Sequence, residues 1–333
     1  MTSGLEAGER APDMVLPAAD GTPTRYYAHA GGRPALLVLA DSECGAQLRA
    51  LADGLGAYEP DALTVHVVAP AIAHDVPFPL LQDPEGRAAA AFRTQGAPMA
   101  FLLDPNLRVR RSLPFADGGD VARTVAELLP ELTWSTRPAR EIGLQAPVLV
   151  VPDVLDPAQC AELIDVWERE GNVATGVESS TGGGRGEYVS EQLKRRRDHV
   201  VADQERTQRL AQTIGRRVIP ELARAFAYRA RRFEGFKIAC YEASDRGFFR
   251  AHRDNLSPAT AHRRFALTLN LNDGYDGGQL RFPEYGPDLY RPPPGAALLF
   301  SCSLLHEVLD VTADRRFVLL SFLFGDEGRP QQP

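Results

Sequence analysis

His252-Arg253-Asp254 is the tripeptide in this chain with the clearest chemical content. In an extended strand, side chains at i and i+2 share a face, so His252 and Asp254 would project together while Arg253 turns away. A third donor, His306, lies far along the chain in Leu304-Leu-His-Glu-Val-Leu and must be delivered by folding. Two imidazoles and one carboxylate on one face of a metal leave the opposite face open. That donor set suits non-haem Fe(II) and oxygen chemistry. Arg316 heads an apolar run that ends at Phe324. A guanidinium binds a carboxylate through two parallel hydrogen bonds, so an inward Arg316 could clamp a dicarboxylate. Arg315 is the neighbouring alternative, and strand alternation lets only one of the two face a pocket. His29, His66, His74, His199 and His262 have no comparable setting and read as structural or solvated.

These residues need a scaffold of strands. From Phe233 onward the pattern is a series of short strands separated by turns such as Asn272-Asp-Gly and Pro294-Gly. Upstream lie two helices. One starts with Asp156 as N-cap and Pro157 in the first turn, ends before Gly171, and buries Cys160, Leu163, Ile164 and Trp167. The other, from Asp203 to Tyr228, is expected to be interrupted or kinked near Pro220. Helices followed by short strands predict a β-sandwich or barrel with supporting helices.

The first part of the chain alternates strands and helices, which implies an α/β sandwich. Pro34-Ala-Leu-Leu-Val-Leu-Ala40 reads as a strand buried on both faces. Asp83-Pro-Glu-Gly-Arg is expected to open a helix with Pro84 at an early helical position. Residues 98–104 and 108–113 read as a hairpin turning at Asp104-Pro-Asn. The polar stretch after residue 131 breaks this pattern. The expected organisation is therefore domain 1–131, linker 132–145 and domain 146–328.

Composition sets the outer limits. The 333 residues, 44% hydrophobic and 24% charged, describe an ordinary globular protein, and ~150 residues per domain predicts two domains. A formal net charge of -7 argues against nucleic-acid binding. Two basic clusters, around Lys194-Arg197 and Arg229-Arg232, read as solvated faces, although one beside an active site could attract an anionic substrate. No apolar run approaches a membrane span, and no secretory signal is evident, so no membrane partner and a cytoplasmic address are expected. The 4 cysteines, Cys44, Cys160, Cys240 and Cys302, have no metal or disulfide spacing.

Several stretches together resemble the Fe(II)- and 2-oxoglutarate-dependent dioxygenases, particularly their prolyl 4-hydroxylase-like branch. They are Cys240-Tyr241, Phe248-Phe-Arg-Ala-His252-Arg-Asp254-Asn, Gly277-Gly-x-Leu-x-Phe and His306-Glu-Val followed by Arg316-Phe. The resemblance implies a double-stranded β-helix (jelly roll) with supporting helices. It implies His252, Asp254 and His306 as iron ligands and Arg316 as the 2-oxoglutarate anchor. Tyr241 matches a tyrosine that lines the co-substrate pocket. Asn270 stands where relatives carry another pocket tyrosine, and is a further candidate contact. Related halogenases replace the metal carboxylate by a small residue, so retention of Asp254 favours hydroxylation. The implied reaction uses Fe(II), 2-oxoglutarate and O2, with ascorbate an additional candidate. It releases succinate and CO2 while hydroxylating an unactivated carbon of an amino acid, a peptidyl residue or a secondary metabolite. The stretch from Glu178 to Gly186 is either a lid or a surface loop, and the segment from Tyr188 to Asp198 is a candidate for substrate contacts.

The N-terminal part resembles the peroxiredoxin or redoxin branch of the thioredoxin fold. Gly8-Glu-Arg-Ala-Pro-Asp, Phe78-Pro-Leu-Leu-Gln-Asp83 and Ala97-Pro98-Met-Ala-Phe carry that likeness. It implies a cis bond at Pro98. Cys44 follows the first buried strand and precedes a helix, where a thiol pKa can fall. Against this, the family's Pro and Thr or Ser positions hold Leu37 and Asp41, and the acid opposes a thiolate. A degenerate redoxin is favoured, serving docking, substrate presentation or homodimer formation. The competing reading is a thiol peroxidase using Cys44 with an auxiliary oxygenase-like domain. A third is a sensor built on the same metal site.

Overall fold

A computed structural model describes residues 4–56, 62–70, 78–132, 139, 141–179, 186–188 and 192–326. The chain divides into two compact units, Met1–Ala139 and Arg140–Pro333.

The first unit is thioredoxin-like. Strand Ala35–Leu39, helix Gly45–Leu55 and parallel strand Thr64–Ala69 form a βαβ unit. Helix Arg87–Ala91, the antiparallel hairpin Met99–Leu103 and Val109–Pro114, and helix Gly118–Leu132 complete it. Every residue of Ala35–Leu39 is buried because the sheet has a core on each face. Leu36 and Val38 pack into one, Ala35, Leu37 and Leu39 into the other. Helices Gly45–Leu55 and Gly118–Leu132 cross closely, since a Cβ on Gly118 would lie 1.9 Å from the Gln47 carbonyl oxygen.

Two local expectations are corrected here. The helix expected from Asp83 begins only at Arg87, after Gly86 in left-handed conformation. Asp83 acts from outside the helix, accepting from the amides of Arg87 at 2.9 Å and Ala88 at 2.7 Å. The bond at Pro98 is trans, since the described residues contain no cis peptide.

The second unit is a jelly roll. Its larger sheet runs Leu149–Val151, Ala297–Ser301, Phe265–Asn270, Arg315–Phe324, Lys237–Glu242, Arg197–Val200 and Val173–Ala174. Its smaller sheet runs Lys194–Arg195, Phe248–His252, His306–Val308, Leu280–Arg281 and Leu289–Tyr290. Alternation along Arg315–Phe324 separates two environments. Phe317, Leu319 and Leu323 face the helices, while Val318 joins Tyr241, Leu280 and Val308 between the sheets.

The covering helices have the caps their sequence announces. Asp156 and Gln159 form a reciprocal capping box on Pro157–Arg169. That helix buries Cys160, Leu163, Val166 and Trp167, with Ile164 only partly covered. Helix Gln204–Phe226 runs through Pro220 without interruption. Leu210, Ile214, Val218 and Leu222 line one buried face on both sides of the proline, and that packing holds the two halves in line.

Much of the expected linker, 133–138 and 140, lies outside the described residues, as does 180–185 of the expected lid. Its flanks, Val177–Ser179 and Gly186–Tyr188, pair as an antiparallel ribbon.

Candidate metal centre and its cavity

The smaller sheet brings the three candidate ligands together. His252 ends one strand and His306 begins its neighbour, and the two are cross-strand partners. A register shift between Phe249 and His252 re-aims the strand end. Asp254 lies in the turn just beyond. Its Oδ1 is 3.4 Å from His252 Nε2 and its Oδ2 is 3.4 Å from His306 Nε2. One donor atom from each residue falls within 4.8 Å of the others.

The ring nitrogens are already sorted. His252 Nδ1 lies 2.8 Å from the Arg250 carbonyl oxygen, and His306 Nδ1 lies 3.0 Å from that of Leu304. Each Nδ1–H donates to a carbonyl, which leaves each Nε2 on the side of Asp254. Burial holds the His306 imidazole below its ordinary pKa, outweighing the attraction of Asp254. Burial would raise Asp254, but His306 and His252 hold its carboxyl below the usual carboxylate range. Neutral imidazole and ionised carboxylate are the forms a divalent metal needs. Phe249 stacks on His252 with centroids 3.5 Å apart and planes 20° apart, which fixes the ring further. Arg253 turns to Glu284, with its closer contact at 2.6 Å.

The triad opens into a cavity of about 750 Å³. Arg316 and Tyr241 line it as cross-strand partners. Arg316 is 3% exposed, and its guanidinium sits 5.3 Å from the Tyr241 ring centroid. Among the described residues no carboxylate pairs with it. Its neighbour Arg315 points the other way and pairs with Glu168 at 2.7 Å.

Asn270 does not line this cavity. Its amide is engaged at the far end of its strand. Nδ2 donates to the Asn272 and Pro292 carbonyls at 2.7 and 3.2 Å, and Oδ1 accepts from the Tyr275 hydroxyl at 3.0 Å. Its expected co-substrate contact is therefore corrected to a structural role.

Two groups on the wall carry no motif. Arg196 donates to both Asp198 oxygens, at 2.6 and 2.7 Å, and to the Tyr241 hydroxyl at 3.2 Å. Arg263 is forked onto Glu234. The sequence signal for Arg196 was its place in the basic cluster Lys194–Arg197, and Arg263 had none. Lys194 also lines the cavity, so the basic cluster expected to be solvated is partly buried there.

Cys44 is 3% exposed at the head of helix Gly45–Leu55. Burial pushes its thiol up to about 11, and its Sγ lies 3.1 Å from Asp41 Oδ1. A protonated, covered thiol is a poor peroxide nucleophile.

Comparison with known proteins adds a likeness to one family. Residues 236–324 match the 2OG-Fe(II) oxygenase superfamily. The matched stretch lies within the second unit, and the family it resembles uses Fe(II), 2-oxoglutarate and O2. A PKHD-type hydroxylase from Synechococcus sp. (strain JA-2-3B'a(2-13)) is 31% identical over 104 residues, 29% of this chain and 46% of that protein. The chain thus spans about half the length of that relative. Among solved structures, a prolyl-4-hydroxylase from Pseudomonas putida is 19% identical, covering 54% of this chain and 94% of that one with a TM-score of 0.40. A chain described as a thiol:disulfide interchange protein from Chlorobium tepidum is 23% identical, covering 38% of this chain and 99% of that one with a TM-score of 0.32. Among the described residues, no helix is long and apolar enough to cross a membrane.

Proposed function

We propose that this protein is an Fe(II)- and 2-oxoglutarate-dependent hydroxylase that oxidises an unactivated carbon of a small molecule or peptidyl residue. The observation that carries this reading is a buried guanidinium, Arg316, with no carboxylate partner among the described residues, lining the same cavity as a His-Asp-His cluster. Burying a charge without a partner is costly, so a group of opposite charge belongs there. His252, Asp254 and His306 would hold the metal through Nε2, a carboxylate oxygen and Nε2. Once bound, Fe(II) would supply the oxygen-activating chemistry, coupled to decarboxylation of 2-oxoglutarate to succinate and CO2.

The chain's own residues do the rest. Arg316 would receive the distal carboxylate of 2-oxoglutarate through its fork. The aromatic face of Tyr241 and the apolar side chains of Val308 and Leu280 exclude water from that end of the cavity. Arg196 holds the Tyr241 hydroxyl, so the ring stays beside Arg316. About 750 Å³ accommodates 2-oxoglutarate together with a second small molecule or one residue of a peptide.

Anaerobic titration with Fe(II) and 2-oxoglutarate tests the reading. A visible metal-to-ligand charge-transfer band is expected, and it should vanish in His252→Ala. Arg316→Leu should raise the 2-oxoglutarate needed by about tenfold or more, since losing one partner of a buried charge pair costs on the order of 2 kcal/mol or more. Arg315→Leu should not. A folded protein that shows no band at saturating ligand would overturn the assignment.

A further inference from the structure

We infer that Arg263 and Glu234 form a positioning pair that holds Asp254 in place for the metal. This role presupposes the metal site proposed above. Unlike the two histidines, Asp254 lies beyond the strand end, so no β-ladder fixes it. Something else must hold its backbone if the carboxylate is to meet both imidazoles.

The loop after Asp254 is tied at both ends to one residue. The Asp254 amide donates to the Cys302 carbonyl at 3.0 Å, and the Cys302 amide donates to the Arg264 carbonyl at 3.0 Å. Between those ties, the Arg263 guanidinium reaches back. Its Nη1 donates to the Asp254 carbonyl at 3.3 Å. Its Nε and Nη2 donate to the two Glu234 oxygens at 2.7 and 2.5 Å. Its face lies 3.9 Å from the centre of the Phe322 ring. Glu234 is itself anchored, because its amide donates to the Phe322 carbonyl at 2.9 Å. The chain of contacts therefore runs from the metal carboxylate's backbone to strand Arg315–Phe324, the strand that carries Arg316.

A fork is needed for this task. Three nitrogens in one plane serve two acceptors that come from separate segments, and an ammonium cannot reproduce that geometry. Stability alone gives little reason for the pair, because a buried ion pair is often matched by apolar side chains of similar size. Its distinguishing feature is where it ends, on the backbone of a candidate ligand. Groups that orient metal ligands in this way typically account for 10–100-fold in metal affinity.

The test uses Co(II) as the probe, read by its visible spectrum and by calorimetry, without turnover. Two variants are compared with the wild-type chain: Arg263→Lys, and the apolar double substitution Arg263→Met with Glu234→Leu. The double variant is expected to bind Co(II) about 10–100-fold more weakly, with the single variant between it and wild type. Melting temperatures should stay close to wild type, and 2-oxoglutarate affinity at saturating metal should be unchanged. Should the double variant not fold, Arg263→Lys alone carries the comparison. Folded variants whose Co(II) affinity stays within about threefold of wild type would overturn the positioning role, whatever happens to substrate KM. A wild-type protein that binds no Co(II), or binds it equally well as His252→Ala, would overturn the metal site and this role together.

Discussion

At the scale of single residues, two adjacent arginines have opposite fates. Arg315 is half-exposed and paired with Glu168, whereas Arg316 is buried with no carboxylate among the described residues. Space for the Arg316 stem depends on a missing side chain. A Cβ on Gly278 would lie 2.8 Å from Arg316 Cδ and 2.9 Å from Val311 Cγ2, and the backbone there has φ +67°. Gly278→Ala should therefore displace the guanidinium and strain the turn. The expected result is a several-fold rise in the 2-oxoglutarate needed to develop the charge-transfer band, with Co(II) affinity unchanged. An unaltered 2-oxoglutarate titration would show that Arg316 is not held by this contact. Arg196 and Arg263 belong to the same scale and were harder to read. Their roles depend on Asp198, Tyr241 and Glu234, and no local motif announces those partners.

At the scale of elements, alternation and capping did most of the work. The Asp156 capping box, the hairpin at Asp104 and the buried strand Ala35–Leu39 follow from local residue types. Pro220 and Pro84 were misread because proline rules describe isolated helices. Packing of the flanking turns overrides them in one case, and an outside carboxylate cap in the other. Strand Thr64–Ala69 carries a further consequence. His66 lies edge-on to Tyr26 with centroids 5.4 Å apart, and His66 Nδ1 and the Tyr26 hydroxyl are buried without partners among the described residues. Burial pulls the His66 imidazole below 6.5, and His29 adds to that. A folded pKa below the unfolded one means the unfolded chain takes up the proton first. The contribution is thus complete above about pH 6.5 and declines as pH falls through that value. The N-terminal unit should melt earlier at pH 5.5 than at pH 7.5, and His66→Phe should flatten the difference. Identical pH dependence in both chains would refute it.

At the scale of the whole molecule, the cavity belongs to one unit. Every described residue that lines it falls between Gly176 and Phe322, inside the unit Arg140–Pro333. A fragment of residues 140–333 should therefore develop the charge-transfer band with Fe(II) and 2-oxoglutarate as the full chain does. A folded fragment without the band would show that residues 1–139 contribute to the site. The chain as a whole carries a net charge of -7, yet Lys194, Arg196 and Arg316 stand on the cavity wall. That local surplus favours a dicarboxylate despite the overall sign.

The sequence alone picked out the candidate donor set, the run of short strands around it and the α/β character of the first unit. Those depend on residue type and on spacing within a few positions, which set which way a side chain faces. Only the tertiary structure decided which arginine faces inward, that Asn270 is committed elsewhere, that Cys44 is covered, and that Glu234 and Arg263 meet behind Asp254. Each of these is a contact between segments far apart in the chain, and such contacts exist only once the two sheets have closed on each other.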